Sequence, residues 1–297
     1  IPFLVIYLIQ ILDTTIRGRK DIEDNLSVPF LGDIPQYSGE KQRGSFVVRE
    51  NGRDPVSEAF RMIRSNMNFM NLGKSEIKVI MVTSSNPHAG KTFVSTNLAM
   101  TFATTGKKVV IMDLDLRRRT FSKQMGHGGD TNGVSSYLSG STELQAIIRK
   151  SKLSEKLDII YAGIQPPNPS EMLLSQRMEE LIAELKLHYD YIIIDSTPAM
   201  AVADAIITDR LADLSIYVVR EGLLDRRQLP DIERLYREKK FHNMAIILNG
   251  ASSTKRHGYG YGYGYGYGYG LDEEETTTKK GFWGKLCEWT RNKFQKK

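Results

Sequence analysis

Apolar residues in this chain fall in short unbroken runs separated by longer amphipathic stretches. Six runs, 77–83, 109–113, 157–162, 191–195, 214–219 and 244–248, read as strands buried on both faces. Between them lie segments with helical spacing. Asp54-Pro55 offers an N-cap and a proline at the first helical position. The stretch 93–105 is helical and stops before Gly106, a fitting C′ residue. Helical turns are predicted within 133–151, around Tyr137-Leu138 and 144–148, and again near 232–239. A longer helix is predicted over 172–189, with Leu173, Leu174, Met178, Leu181, Ile182 and Leu185 on its apolar face. Strands alternating with helices imply an α/β fold with a doubly wound, mostly parallel sheet and helices on both faces.

The first strand run leads into Ser84-Ser85-Asn86-Pro87-His88-Ala89-Gly90-Lys91-Thr92, and a helix leaves it. Strand, tight loop, Gly-Lys-Thr and helix is the setting of a P-loop, where loop N–H groups and a helix N-terminus converge on phosphates. Lys91 would add charge at the β/γ-phosphates, and the Thr92 hydroxyl could ligate Mg²⁺. The consensus glycine five residues before Gly90 is Ser85 here. Two other runs end in acid: Asp113 and Asp115, followed by Arg117-Arg118-Arg119, and Asp195, followed by Ser196-Thr197-Pro198. C-terminal ends of parallel strands share one edge, so the three aspartates should meet the phosphates held by Lys91. Carboxylates, a hydroxyl, waters and phosphate oxygens are the donors Mg²⁺ takes. Each aspartate taken singly could instead cap the turn after its strand.

These residues resemble the Walker A, A′ and B motifs of bacterial tyrosine kinases, over about 1–270. Glu58-x-x-Arg61-x-x-Arg64 and the alternating Gly-Tyr tail strengthen the resemblance. It implies a P-loop NTPase-like kinase using ATP and Mg²⁺. Loop residues Ser85 to Thr92 with Phe93 would bind nucleotide, and Asn249, just past the last strand, resembles the residue that reads adenine in related ATPases. Lys91, Asp113, Asp115 and Asp195 would be catalytic. Thr92 and the three aspartates would serve the metal, with Asp113 either taking the tyrosyl proton or joining the metal shell. Glu58, Arg61 and Arg64 would form the contact that closes a ring-like homo-oligomer, an octamer by resemblance. On residues alone they could equally be a solvated helix face. The arginines after Asp115 could meet phosphate or a neighbouring subunit, or equally form an exposed basic turn.

The chain has 41 Lys and Arg against 35 Asp and Glu, for a net charge of +6, and its single cysteine is Cys287. No intrachain disulfide is possible, which fits a reducing compartment and argues against a thiolate metal site. No ribbon of interleaved aromatic and basic residues favours nucleic acid. Basic residues gather at the chain's ends and point to an anionic membrane surface. Residues 1–12 are nearly all apolar and are followed by Arg17, Arg19 and Lys20. Twelve residues are too few to span a bilayer, which needs about twenty, so 1–20 read as the end of a truncated transmembrane helix with the rest on the cytoplasmic side. An amphipathic core helix is the competing reading.

Residues 21–53 are expected to form a juxtamembrane linker, extended over 28–35 where Pro29, Gly32 and Pro35 exclude helix. The kinase domain is assigned to 54–255. In the 256–270 tail, Tyr259, Tyr261, Tyr263, Tyr265, Tyr267 and Tyr269 alternate with glycine. Glycine at every second position excludes a core strand. Six phenols in a chain with an ATP site read as phosphoacceptors, and a sticky aromatic linker is the competing reading. Residues 271–297 are an acidic spacer and a basic aromatic segment, either an interfacial helix or one packed on the domain. The inferred partners are a second copy of the chain, a fused membrane and periplasmic chain-length-regulator region, a cognate tyrosine phosphatase and the inner membrane.

Two rivals keep the P-loop but not the kinase. A partition or cell-division ATPase would carry a second lysine early in the loop, where Asn86 stands, and no tyrosine tail. A non-catalytic, nucleotide-controlled scaffold would not need Lys91 and all three aspartates.

Overall fold

The computed structural model describes residues 13–37, 46–70 and 76–252. In chain order the elements are α1 (Arg19–Glu23), β1 (Phe30–Pro35), α2 (Pro55–Met70), β2 (Val79–Ser84), α3 (Lys91–Ala103) and β3 (Val109–Asp113). There follow α4 (Thr120–Gln124), α5 (Val134–Leu138), α6 (Leu144–Ile147), β4 (Ile148–Lys150), β5 (Leu157–Ile160), α7 (Pro169–Leu174) and α8 (Gln176–His188). The last are β6 (Tyr191–Asp195), α9 (Asp204–Asp209), β7 (Leu214–Arg220), a 3₁₀ turn (Arg226–Gln228), α10 (Leu229–Arg237) and β8 (Met244–Ala251).

The strands make one eight-stranded sheet in the order β1-β8-β7-β2-β6-β3-β5-β4. Every pairing is parallel except that of β4 with β5. Alternate side chains of each strand feed two cores. Val79, Met81, Val110, Met112, Ile192 and Ile194 pack in one, with α8 and α10. Ile80, Val82, Val109, Ile111 and Ile193 pack in the other, with α2 and α3. Burial on both faces is why these strands show continuous apolar runs. β2, β6 and β3 are adjacent at the centre, so the P-loop and the acidic strand ends share one edge. Gly106 takes φ +80° after α3, and its N–H reaches the Ala103 carbonyl at 3.0 Å.

Four expectations change. The extended segment at 28–35 is a sheet edge, with β1 pairing parallel to β8, and not only a tether. Residues from the expected membrane-end and linker regions, Ile16, Ile22, Leu26, Val28, Leu31 and Ile34, are core residues. Turns within 144–151 end in β4, a short antiparallel edge strand. The helix over 172–189 breaks at Ser175, which is extended (φ −65°, ψ 153°) and bonds its hydroxyl back to the Met172 carbonyl at 2.6 Å. Leu174 thereby leaves the apolar face and is 55% exposed, while Leu173 is 1% exposed. Among the described residues no helix is long and apolar enough to cross a membrane. Residues 1–12, the tyrosine tail and the C-terminal segment lie outside the described residues.

Candidate active site

β2 ends at Ser84, and the chain then turns through Ser85–Gly90 into α3. The missing consensus glycine is accommodated from below. Ser85 is buried, and its hydroxyl meets the Tyr217 hydroxyl at 2.9 Å. Asn86 Nδ2 donates to Gln228 Oε1 at 3.1 Å. His88 is left-handed at φ 65° and Gly90 at φ 94°. No other residue fits at position 90: a Cβ there would stand 2.1 Å from Asn249 Nδ2, and the φ is strained for an L side chain. The cradle's backbone therefore depends on glycine at position 90 and on the supports beneath the loop.

Lys91 and Thr92 open α3 at the loop's end. Thr92 Oγ1 donates to Asp195 Oδ2 at 2.7 Å, and Ser95 Oγ lies 3.1 Å from Asp195 Oδ1. Asp113 stands opposite Asp195 in the β3–β6 register. Asp113 is 0% exposed and accepts three donors: the Asp115 N–H at 3.1 Å, the Ser122 N–H at 2.9 Å and the Ser122 hydroxyl at 2.6 Å. Ser122 Oγ in turn accepts the Ala162 N–H at 3.0 Å. Asp115 accepts the Arg118 N–H on Oδ1 at 2.9 Å.

Burial and the neighbouring Asp195 charge push the Asp113 carboxyl up to about 7. Burial likewise lifts Asp195 to about 6, against the pull of Lys91 and the hydroxyls of Thr92 and Ser95. Burial lowers the Lys91 pKa, and the three aspartates oppose the shift. Such perturbed groups at one sheet edge mark a functional site.

The donor set suits Mg²⁺: oxygen ligands only, with a hydroxyl and carboxylates beside a phosphate cradle. Among the described residues no three acidic or histidine side chains gather into a cage of their own. Mg²⁺ does not require one, because it usually binds one or two carboxylates plus substrate phosphates and waters. Thr92, Asp115 and Asp195 are the residues best disposed to hold it.

The three consecutive arginines separate by partner. Arg117 forks onto buried Asp204, with Nε–Oδ2 at 2.6 Å and Nη2–Oδ1 at 3.2 Å, and also reaches Ser170 Oγ at 2.9 Å. Arg119 Nη1 donates to the Gly163 carbonyl at 3.1 Å. Arg118 is exposed, and its charge is felt at Lys91.

The remaining expected residues lie on α2, α3 and β8. The Phe93 ring packs on Phe60, centroids 6.0 Å apart, between α3 and α2. Asn249 donates to the Ala89 carbonyl at 2.9 Å. Arg61 bonds to Glu58 and the Gly52 carbonyl, and Arg64 Nη1 reaches the Thr101 carbonyl of α3 at 3.0 Å. The motif that resembles a subunit contact is thus also an intrachain brace. Sequence reading missed Ser95, Ser122, Asp204 and Tyr217. A hydroxyl one helical turn after Thr92 was the one available sign, pointing to Ser95.

A family model described as an AAA domain matches residues 77–219. The chain is 33% identical over 221 residues to the tyrosine-protein kinase YwqD of Bacillus subtilis, covering 74% of this chain and 92% of that one. It is 35% identical over 205 residues to the tyrosine-protein kinase Etk of Escherichia coli K12, covering 69% of this chain. This chain spans only 28% of Etk's length. Among solved structures, the kinase domain of the Escherichia coli tyrosine kinase ETK superposes with a TM-score of 0.69 at 30% identity, covering 82% of this chain and 98% of that chain.

Proposed function

The chain belongs to the bacterial tyrosine-kinase family, and from that premise we propose that it transfers the γ-phosphoryl group of ATP to tyrosines on its own C-terminal tail, in trans within a ring. The observation that carries this reading is the meeting of Lys91, Thr92, Asp115 and Asp195 at one sheet edge, in a chain that also carries six tail tyrosines. Mg²⁺, when bound by Thr92, Asp115 and Asp195, would supply positive charge to offset the charge that develops on transfer. The residues' share is positioning. The loop N–H groups and Lys91 hold the triphosphate. Thr92, Asp115 and Asp195 hold the metal directly or through water. Arg118, whose N–H is held by Asp115 while its side chain is exposed, supplies a further cation at the phosphates.

The sequence reading gave Asp113 the tyrosyl proton or a place in the metal shell. Its complete burial and three accepted hydrogen bonds argue against direct contact with a substrate. It is better disposed to fix the Asp115 turn and to share charge with Asp195, which makes it a positioning residue. Most of the acceleration would then come from orientation and charge stabilisation.

The kinase is proposed to act at the cytoplasmic face of the inner membrane, in exopolysaccharide or capsule synthesis and export, with a chain-length-regulator region and a cognate phosphatase as partners. Phosphotyrosine detection after incubation with ATP and Mg²⁺ tests the chemistry. Lys91→Met should remove the signal, because one phosphate contact is lost, while the far-ultraviolet circular dichroism stays that of wild type. Undiminished labelling in that variant, or phosphate confined to tyrosines outside 259–269, would sink the assignment.

A further inference from the structure

The P-loop is held from the side opposite its ligand. Arg220 of β7 and Asn249 of β8 face each other in the parallel ladder, so their side chains leave the sheet together. They take two consecutive loop carbonyls. Arg220 Nη1 donates to the His88 carbonyl at 3.2 Å, and Asn249 Nδ2 donates to the Ala89 carbonyl at 2.9 Å. Asn249 is 6% exposed, so its amide is committed within the protein. The described peptide bonds are all trans. In a trans peptide the C=O and the following N–H point in opposite directions. Holding the carbonyls of His88 and Ala89 toward the β7–β8 ladder therefore turns the N–H groups of Ala89 and Gly90 the other way, toward the cradle. No described residue accepts a hydrogen bond from either N–H. The left-handed backbone at His88 and Gly90 permits the two flips. The 2.1 Å approach of Asn249 Nδ2 to a Cβ at position 90 explains why that residue is glycine.

We propose that Asn249, seconded by Arg220, is the positioning residue of the phosphate loop: the pair holds two successive peptide groups so that the N–H groups of Ala89 and Gly90 face the nucleotide phosphates. The family resemblance instead implied that Asn249 reads adenine. The positioning role rests on the nucleotide-binding part of the reading above and not on which hydroxyl receives the phosphate.

The two roles separate by ligand. A base reader discriminates ATP from GTP and is indifferent to a ligand without a base. A loop strut acts on inorganic tripolyphosphate as strongly as on ATP. Titration calorimetry on the full chain with Mg²⁺ compares tripolyphosphate, ATP and GTP. Asn249→Ala should weaken all three by the same factor, about tenfold for one lost hydrogen bond behind the loop, and leave the ATP-to-GTP ratio as in wild type. Asn249→Asp keeps the shape but sets an acceptor against the Ala89 carbonyl, so its loss should be larger. Arg220→Ala, at a half-exposed position, should cost roughly threefold for its longer bond, and Arg220→Lys should restore most of it.

Melting curves identify folded variants. Should Asn249→Ala fail to fold, Asn249→Asp and Arg220→Ala carry the test. Tripolyphosphate affinity unchanged in the Asn249 variants while ATP weakens or its preference over GTP collapses would overturn the proposal in favour of base reading. Unchanged affinities for every ligand would overturn it outright. Wild-type protein that binds neither ATP nor tripolyphosphate would overturn the nucleotide site and this inference together. Binding without phosphotyrosine would overturn only the transfer reaction.

Discussion

Asp113 and Asp195 stand side by side at the ends of β3 and β6, both buried, and both couple to the Lys91 charge. Each carboxyl has a folded-state pKa above the ordinary value, about 7 for Asp113 and about 6 for Asp195. A raised pKa means that the native state binds protons more tightly than the unfolded chain does. The stability this contributes is complete below the unfolded pKa near 4 and is lost as pH rises through 6 to 7. Without metal or nucleotide, denaturant unfolding should therefore show stability falling between pH 5 and 8, by about 2–4 kcal/mol at most. Asp113→Asn should flatten that slope, since one of the two charges can no longer form. A flat wild-type profile across this window would mean that the pair is ionised throughout. The aspartates were legible in the sequence because each ends an apolar run. Ser122 was not, because its tie to Asp113 bridges nine residues across a turn that no periodicity marks. Asn249 was noticed for its place after a strand, but its donor geometry depends on three strands and a loop meeting.

At the scale of elements, α2 lies against β1 and α3, and its motif residues are already engaged within the chain. Arg64 bonds to the carbonyl of Thr101, which also accepts the Thr104 hydroxyl. Removing Arg64 therefore leaves no orphaned acceptor. Arg64→Ala should cost about 0.5–1.5 kcal/mol, read as a melting-temperature drop of roughly 1–6 °C for a domain of this size, and should do so at any protein concentration. Loss of assembly with no change in melting would place the arginine's role between chains instead. The central strands were readable because burial on both faces makes each an apolar run. β1 was read only as extended, since two prolines and a glycine mask an edge strand. β4 has three residues and no pattern to detect. The break at Ser175 was invisible to helical periodicity, because 169–174 and 176–188 each keep helical spacing and only the extended backbone of Ser175 separates them.

For the whole molecule, the open issue is whose tyrosines a given site modifies. β8 delivers the chain to the same sheet edge that carries the P-loop, so chain length alone does not exclude a protein acting on its own tail. Kinetics separates the cases. Transfer within one chain proceeds at a rate independent of dilution, whereas transfer between chains slows as an assembly dissociates. The proposed ring is a heterologous contact, one patch meeting a different patch on the next copy. Initial phosphotyrosine formation per chain should therefore fall on dilution. Arg61→Ala with Arg64→Ala should yield monomers by light scattering and weak labelling, beyond the modest stability loss expected from Arg64 alone. Mixing Lys91→Met, which keeps its tail, with active protein truncated after residue 257 should restore labelling on the Lys91→Met chain. Phosphorylation adds roughly 1.5–2 negative charges per tyrosine, so six events would place roughly 9–12 charges on one tail beside a site that already holds nucleotide phosphates. Repulsion on that scale should release the tail and loosen the ring, giving large assemblies before ATP treatment and smaller species after it. Labelling independent of dilution, together with an unlabelled Lys91→Met chain in the mixture, would establish transfer within one chain and end the case for a ring as the catalytic unit.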